Sequence, residues 1–221
     1  MKLTVFAATG RVGRHILEQA LAAGHDVTAV VRDPGRLPAT RARVVVADLA
    51  DATSASLLPA VQGADAVLSA LGPPRNSEAG TTWVGTRAIV QAMRTAGVRR
   101  LVAVSAAPVA TMPGPGLPAA APDPGDGVIL GRVMYPLLKL FLRRTYTDLA
   151  RMENVLRGSG LDWTSVRPVQ LTDKPMTGSY RTEVGRNVPR GRYISRADVA
   201  HCMLRALERP ETIRQAVGIA D

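Results

Sequence analysis

The chain begins with a strand, a turn of small residues and a helix, and this order constrains the fold more than any other feature. Residues 3–6 form a short apolar run with β-branched side chains, which is typical of a buried strand. The segment AATGRVG follows at positions 7–13, and a helical pattern covers residues 14–23. We expect Gly10 to let the backbone approach a pyrophosphate, and Gly13 to let the helix pack closely on the strand.

This unit predicts a site for a dinucleotide. The first N–H groups of a helix have no partner within the helix, and the helix dipole adds positive potential there, so both favour a phosphate. Ala7 stands where the usual fingerprint has its first glycine, and a turn with a purely structural role is the alternative interpretation. The predicted phosphate-binding residues are Thr9, Gly10, Arg11, Val12 and Gly13.

Length and composition indicate one domain over residues 1–221, long enough to bury a large core. No apolar run approaches the roughly 20 residues of a membrane span, and we recognise no signal peptide, so we expect a cytoplasmic protein without a transmembrane segment. Cys202 is the only cysteine, which excludes an intramolecular disulfide. The three histidines have no metal-ligand spacing, and we expect no metal site.

The formal net charge is +10, with 28 Lys and Arg residues against 18 Asp and Glu residues. Such a balance can indicate nucleic-acid binding. The arginines are spread along the chain, however, and aromatic residues that could stack on bases make up only 4% of it. We therefore interpret the charge as a basic surface that attracts anionic ligands, and we expect no nucleic-acid partner.

A second strand is predicted over residues 26–31, and Arg32 follows it. A dinucleotide-binding fold contacts the adenosine ribose at this point. An Asp or Glu would accept hydrogen bonds from the 2′-hydroxyl of NAD, whereas a guanidinium group suits the 2′-phosphate of NADP. Arg11 and Arg36 could close the same pocket, so the sequence favours NADPH; ordinary surface arginines are the alternative interpretation.

Strands and helices then alternate at a spacing that predicts an α/β fold, a Rossmann-like, doubly wound parallel sheet with helices on both faces. The further predicted strands are 43–47, 66–70, 101–104, 163–166, 190–194 and 217–219, and the further helices are 51–61, 82–96, 146–157 and 195–207. Ligands collect at the carboxyl ends of such strands. The candidate contacts there are Asp48 and Leu49 for the adenine, the backbone of Ala70, Leu71 and Gly72, and Ser105 and Pro168 for the nicotinamide end.

Residues 108–144 interrupt this alternation as a lid-like insertion. Residues 108–126 are rich in Pro, Gly and Ala, so a lid or a disordered insertion would both fit. Residues 128–144 are apolar with Arg and Lys at intervals, and could form a lid helix, a dimer surface or a segment that touches a membrane. Beyond them we expect a small C-terminal region on the substrate side, with a substrate loop at 171–178.

The segments AATGRVG, VVRD, SALG, LVAVSA, SGLDWTSVRP and ISRADVAHCML occur in this order over nearly the whole chain. Together they resemble the atypical short-chain dehydrogenase/reductases, in the NAD(P)H-binding group of the flavin reductase and biliverdin reductase B type. The segment DKPMTGSY at 173–180 is similar to the substrate-side segment of the flavin reductase. The resemblance implies a Rossmann fold, NADPH, and hydride transfer to a flavin, a tetrapyrrole or a quinone. The same group includes NADPH sensors that catalyse no reaction.

Ordinary members of this superfamily use a catalytic Tyr and a Lys four residues later. Counted back from SGLDW, the resemblance puts the Tyr near Thr145 and the Lys near Leu149, and neither residue type is present. Tyr135 and Lys139 have the spacing, but a proline lies between them and we interpret the pair as a coincidence. The cofactor would then supply the chemistry, and Ser105 is the remaining catalytic candidate, as a hydrogen-bond partner of the nicotinamide carboxamide or of an acceptor carbonyl. In the alternative interpretation, Ser105 only hydrogen-bonds the backbone at the end of the strand.

The sequence therefore supports three hypotheses. The first is an NADPH-dependent reductase that transfers hydride to a flat small-molecule acceptor, such as a flavin. The second is an NADPH-binding redox sensor or scaffold without turnover. The third is an NAD-dependent enzyme of the epimerase or dehydratase type. A monomer and a homodimer fit each of them.

Overall fold

The structure is a computed structural model that describes residues 1–72, 80–112 and 142–221. Its strands are β1 (Lys2–Phe6), β2 (Asp26–Val31), β3 (Arg43–Val46), β4 (Ala66–Ser69), β5 (Arg100–Val104), β6 (Asp162–Pro168), β7 (Gln170–Thr172), β8 (Arg181–Val184), β9 (Tyr193–Ser195) and β10 (Gln215–Ala220). In the described ranges the main sheet has the order β3-β2-β1-β4-β5-β6-β10-β8, and β7 pairs with β9 in a separate small sheet.

All neighbouring strands of the main sheet are parallel except β8, which runs antiparallel to β10. The strand β1 lies between β2 and β4, with Val5 opposite Ala29 on one side and Leu68 on the other. The strand order therefore reverses beside β1, and open sheets of this kind bind ligands in the crevice at the carboxyl ends of the strands around such a point.

The helices are α1 (Arg11–Ala22), α2 (Ser54–Val61), α3 (Thr81–Ala96), α4 (Arg143–Arg157) and α5 (Arg196–Ala206). Alternate residues of β1 point to opposite faces of the sheet. Phe6 is buried in a cluster with α2, α3 and α4, whereas Leu3 and Val5 are buried in a second cluster with α1 and α5. Helices therefore cover both faces, and the predicted doubly wound α/β fold is confirmed.

The helices α1, α2 and α4 begin three residues away from their predicted starts, and α3 and α5 begin one residue away. For α1 and α2, local hydrogen bonding and not apolar periodicity sets the start. The helix α1 begins directly after Gly10, three residues before its apolar pattern. The helix α2 begins after Thr53, whose Oγ1 accepts from Ser56 N at 3.2 Å while Ser56 Oγ accepts from Thr53 N at 3.1 Å. This reciprocal capping box fixes the start of the helix at Ser54.

The C-terminal third contains the largest departures from the predicted elements. The strands β7 and β8 are not among the predicted strands, and the strand predicted at 190–194 lies at 193–195 and pairs with β7 in the small sheet. These strands are three or four residues long and largely half-buried or exposed, so they lack the apolar runs that mark the inner strands.

The predicted insertion at 108–144 falls mostly outside the described residues. At its ends, residues Ala107–Thr111 form a 3₁₀ helix, and residues 143 and 144 belong to α4. Residues 113–141, with Tyr135 and Lys139, lie outside the described part of the chain. In the ranges that are described, no helix combines the length and the apolar character that crossing a membrane requires.

Candidate functional site

The turn between β1 and α1 is shaped by close backbone contacts. Ala7 has a φ of 56°, in the left-handed region that favours glycine, and its carbonyl accepts from Gly10 N at 2.8 Å. A Cβ on Gly13 would lie 2.1 Å from Ala7 O, so only glycine lets α1 approach the turn this closely. The close packing predicted at Gly13 is confirmed. Ala7, which replaces the first glycine of the usual fingerprint, adopts the backbone conformation that a glycine would adopt there.

The N-terminus of α1 faces the crevice without a capping side chain. Gly10 is its N-cap residue and forms no side-chain cap, and the first turn of the helix itself contains no acidic residue. Val12 is buried and Thr9 is half-buried, so the free N–H groups are presented by a rigid turn. Unpaired N–H groups and a helix dipole, next to a glycine turn that a Cβ would fill, fit a pyrophosphate.

Two exposed guanidinium groups follow β2, the neighbour of β1. Arg32 is the first residue after the strand, and Arg36 ends a short 3₁₀ helix, Pro34–Arg36. Asp33 does not pair with them, since its Oδ1 accepts from Gly35 N at 2.9 Å and caps the turn. Neither guanidinium group forms an ion pair with a residue that the structure describes, so both are available to an anion.

Arg11 is engaged elsewhere. Its guanidinium forms an ion pair with Asp173, which lies in the loop between β7 and β8, and Asp173 also accepts from Arg196 Nη1 at 2.7 Å. Both Arg11 and Asp173 are largely exposed. The structure therefore directs Arg11 towards the loop at 173–180. The pocket that we expected Arg11 to share with Arg32 and Arg36 stays a prediction.

The predicted contacts after β3 and β4 divide into core side chains and accessible backbone. Leu49 and Leu71 are buried against α3, where a Cβ on Gly85 would lie 3.1 Å from Leu49 Cβ and 2.8 Å from Leu71 Cδ2. Their side chains serve packing, and only their backbone can face a ligand. Asp48 is exposed, with its Oδ1 accepting from Ala50 N at 3.0 Å.

The two remaining predicted residues near β4 lie at the mouth of the crevice. Ala70 is half-buried, and its N–H donates to Phe6 O at 3.2 Å, which holds this backbone beside the end of β1. Gly72 is exposed. The backbone of 70–72 therefore lies next to the glycine turn, as the parallel sheet requires.

Ser105 and Pro168 end neighbouring strands. Ser105 N donates to Val166 O at 2.7 Å, and the residue is 6% exposed. Its Oγ makes no hydrogen bond of good geometry to any described residue. Pro168 is buried at the end of β6 and is paired in register with Ile219 on β10. The two predicted nicotinamide contacts are thus brought together at the same edge of the sheet.

A buried ion pair lies near Ser105, and the sequence analysis did not predict it. Glu153 of α4 accepts from Arg167 Nε at 2.8 Å and from Arg167 Nη2 at 2.5 Å, and both side chains are almost fully buried. Ser165 Oγ donates to the same carboxylate at 2.9 Å, and Arg157 Nη2 donates at 2.9 Å. The cluster places one carboxylate and two guanidinium groups behind the end of β5.

Burial alone would raise the pKa of the Glu153 carboxyl. Hydrogen bonds and charge from Arg167, the charge of Arg157 and the Ser105 hydroxyl outweigh burial and hold this pKa below its ordinary value. Glu153 is therefore an ionised carboxylate at neutral pH. The sequence indicates that Glu153 is buried, because this residue falls on the apolar face of α4 that carries Leu149, Met152 and Leu156.

The loop at 173–180, which covers most of the predicted substrate loop, is tied to α5. Asp198 accepts from Thr177 N at 2.9 Å, from Gly178 N at 2.8 Å and from Ser195 Oγ at 2.7 Å. Burial would raise the pKa of Asp198, but these hydrogen bonds lower it. Tyr180 ends the loop, with its OH 2.8 Å from His201 Nδ1, so the loop is anchored at several points.

The structure agrees with the absence of a catalytic Tyr and Lys from the two expected positions on α4. Thr145 is half-buried, and Leu149 is a core residue. Tyr146 is 9% exposed and packs in the core with α2 and α3, where burial raises the pKa of its phenol. It is therefore a packing residue and not an acid at the crevice.

Comparison with known proteins identifies the family of the chain. A model of the NAD(P)H-binding family matches residues 7–210. The 3-diazoavenalumate denitrifying reductase of a Streptomyces species is 38% identical over 179 residues, which are 72% of this chain and 58% of that protein.

Solved structures with the same fold extend the comparison. SP1627 of Streptococcus pneumoniae TIGR4, a protein assigned as an NADH-flavin reductase, is 25% identical with a TM-score of 0.73, over 100% of this chain and 99% of that one. A short-chain dehydrogenase/reductase of Veillonella parvula, solved in complex with NADP, is 19% identical with a TM-score of 0.77, over 100% and 94% of the two chains. The latter likeness concerns the fold.

Proposed function

Because the chain belongs to the NAD(P)H-binding family, we propose that it is an NADPH-dependent reductase that transfers hydride to a flat acceptor, such as a flavin, a tetrapyrrole or a quinone. The observation that carries the proposal is the N-terminus of α1 on a glycine turn, beside the exposed Arg32 and Arg36, which form no ion pair within the described ranges. These groups suit a pyrophosphate and a 2′-phosphate respectively.

In this proposal the cofactor extends along the carboxyl edge of the sheet. Thr9 to Gly13 bind the pyrophosphate, and Arg32 and Arg36 bind the 2′-phosphate. Asp48 and the backbone of Leu49 contact the adenine, and the backbone of 70–72 lines the middle of the crevice. Ser105 and Pro168 lie at the nicotinamide end. The switch point beside β1 supports this path, since it is where open sheets of this type bind dinucleotides.

The bound cofactor supplies the hydride, and the chain supplies position and charge. Ser105 offers a buried hydroxyl to the nicotinamide carboxamide or to the acceptor, with its backbone held by Val166. The Glu153–Arg167 pair supports the end of β6 from below. The loop at 173–180 forms a fixed wall, so proximity and orientation are the main contributions to the rate.

The test is the oxidation of NADPH in the presence of FMN, FAD, biliverdin and simple quinones, followed at the nicotinamide absorbance. We expect turnover with at least one of these acceptors, and weaker activity with NADH. Tight NADPH binding without turnover of any acceptor would contradict the reductase proposal.

A second candidate is an NADPH-binding sensor, favoured by Thr145 and Leu149 in place of the catalytic Tyr and Lys. It predicts tight cofactor binding, no reduction of any acceptor, and a protein partner whose binding changes with the NADPH to NADP⁺ ratio. The same two positions disfavour an epimerase or dehydratase, which needs an acid and a base beside the nicotinamide. Partner binding that is independent of the cofactor would contradict the sensor.

A further inference from the structure

The Ser105 hydroxyl occupies an unusual position for a buried serine. It is 6% exposed, its backbone N–H is fixed on Val166 O at 2.7 Å, and its Oγ makes no well-aligned hydrogen bond within the described ranges. Buried hydroxyl groups in proteins are normally hydrogen-bonded. Ser159 is the contrasting case in this chain, since its Oγ donates to Leu156 O at 2.6 Å. The Ser105 side chain therefore does not serve to hydrogen-bond the backbone at the end of the strand.

The Glu153 carboxylate lies close to Ser105. Its donors Ser165 and Arg167 flank Val166, whose carbonyl accepts from Ser105 N at 2.7 Å. The Ser105 side chain is one of the groups that keep Glu153 ionised. An ionised carboxylate only accepts hydrogen bonds, whereas a hydroxyl has one proton and two lone pairs. The proton of Ser105 is therefore attracted to Glu153, and the lone pairs are left for the other side.

Glu153 is held too firmly to turn towards Ser105. Four donors occupy its two oxygens: Ser165 Oγ and Arg167 Nε on Oε1, and Arg167 Nη2 and Arg157 Nη2 on Oε2. The carboxylate therefore orients the Ser105 hydroxyl without forming a full hydrogen bond to it. The Ser105 oxygen remains available to a group in the crevice.

We propose that Glu153 turns the Ser105 proton inwards, so that Ser105 Oγ accepts a hydrogen bond from the carboxamide N–H of the nicotinamide. This inference rests on the proposed function, because it needs the nicotinamide end of the cofactor beside Ser105. Ser105 then discriminates the amide nitrogen of the carboxamide from its carbonyl oxygen. Glu153 is a positioning residue that acts through Ser105.

The test compares the dissociation constants of three oxidised cofactors, measured by calorimetry: NADP⁺, its 3-acetylpyridine analogue and its thionicotinamide analogue. The first analogue lacks the N–H₂ group, and the second keeps it but replaces the carbonyl oxygen. We expect the acetylpyridine analogue to bind about tenfold more weakly than NADP⁺, and the thionicotinamide analogue within about twofold of it. Ser105→Ala should weaken NADP⁺ until it matches the acetylpyridine analogue, while the control Ser159→Ala should keep the discrimination.

Glu153→Gln adds a test of orientation, because the neutral glutamine no longer attracts the Ser105 proton as the carboxylate does. We expect this variant to discriminate less than the wild type between NADP⁺ and the acetylpyridine analogue, and unchanged discrimination would overturn the role of Glu153. If the variant does not fold, the Ser105→Ala comparison decides alone. Equal binding of all three cofactors to the wild type, or a weaker thionicotinamide analogue, would overturn the inference and leave the reductase standing. No binding of NADP⁺ would overturn both.

Discussion

Arg11 and Asp173, 162 residues apart in the sequence, form an ion pair that joins the first turn of α1 to the loop at 173–180. Arg196, the first residue of α5, holds the same carboxylate. The two helices also meet where Gln19 Nε2 donates to Ala197 O at 2.9 Å. One acidic side chain thus lies between two helix N-termini, beside the turn that we propose binds the pyrophosphate.

Asp173→Asn should therefore strengthen the binding of NADPH and NADH equally, by roughly two- to fivefold. The substitution removes a negative charge near the phosphate site and releases Arg11, and the pyrophosphate is common to both cofactors. The effect should shrink as salt increases, because the pair is exposed. Titration of both cofactors at two ionic strengths measures it.

Asp26→Asn is the matched control, since Asp26 is exposed at the start of β2, at the opposite edge of the sheet. It makes the same charge change and should leave both affinities unchanged. Weaker binding to the Asp173 variant would show that Asp173 instead orients Arg11 for the phosphate.

Arg32→Ala should weaken NADPH binding about tenfold to a hundredfold and barely change NADH binding. A charge-assisted hydrogen bond to the 2′-phosphate is worth about 1.5–3 kcal/mol. Arg36 lies four residues on and can share the load, so the double substitution should show the larger effect. Arg94→Ala, in the exposed last turn of α3, is the control for loss of a positive charge. Equal losses for the two cofactors would contradict the preference for NADPH.

Gly13→Ala should destabilise the protein by about 1–3 kcal/mol and weaken both cofactors. The added Cβ would lie 2.1 Å from Ala7 O, and the atoms it would meet belong to the backbone of Ala7 and Ala8, which cannot move aside cheaply. Gly158→Ala is the control, because its Cβ would lie 3.5 Å from the nearest atom, Asn154 O. Urea unfolding of the two variants distinguishes them: a Gly13 variant as stable as the control would mean that α1 can shift freely.

Much of the fold was predictable because the inner strands are apolar runs between turn residues. The strand at 26–31 has the predicted bounds, and the glycine turn needs only local spacing to be recognised. The strand β8 was not predictable, since three of the four residues of RTEV are polar and the strand gains its place by pairing with β10.

The site was predictable to the extent that sequence neighbours build it. Thr9 to Gly13 and Arg32 follow directly from the ends of β1 and β2. Asp173, the partner of Arg11, is not a sequence neighbour of it, and Arg167, the buried arginine partner of Glu153, comes from another element. Local patterns carry no information about which charges will meet, so both pairs required the folded chain.

Glu153→Ala should destabilise the protein by about 3–5 kcal/mol, because it leaves the buried Arg167 guanidinium without its carboxylate.

The pKa of Glu153 lies below its ordinary value of 4.5 in the folded state, so its contribution to stability is present above that pH. The contribution is lost as the pH falls through the lowered pKa. Urea unfolding between pH 7 and pH 3 should therefore show a smaller loss of stability for Glu153→Gln than for the wild type, because glutamine does not titrate. Glu208→Gln, at an exposed position, should follow the wild-type profile, and a Glu153→Gln profile that also follows it would show that Glu153 is not the carboxylate responsible.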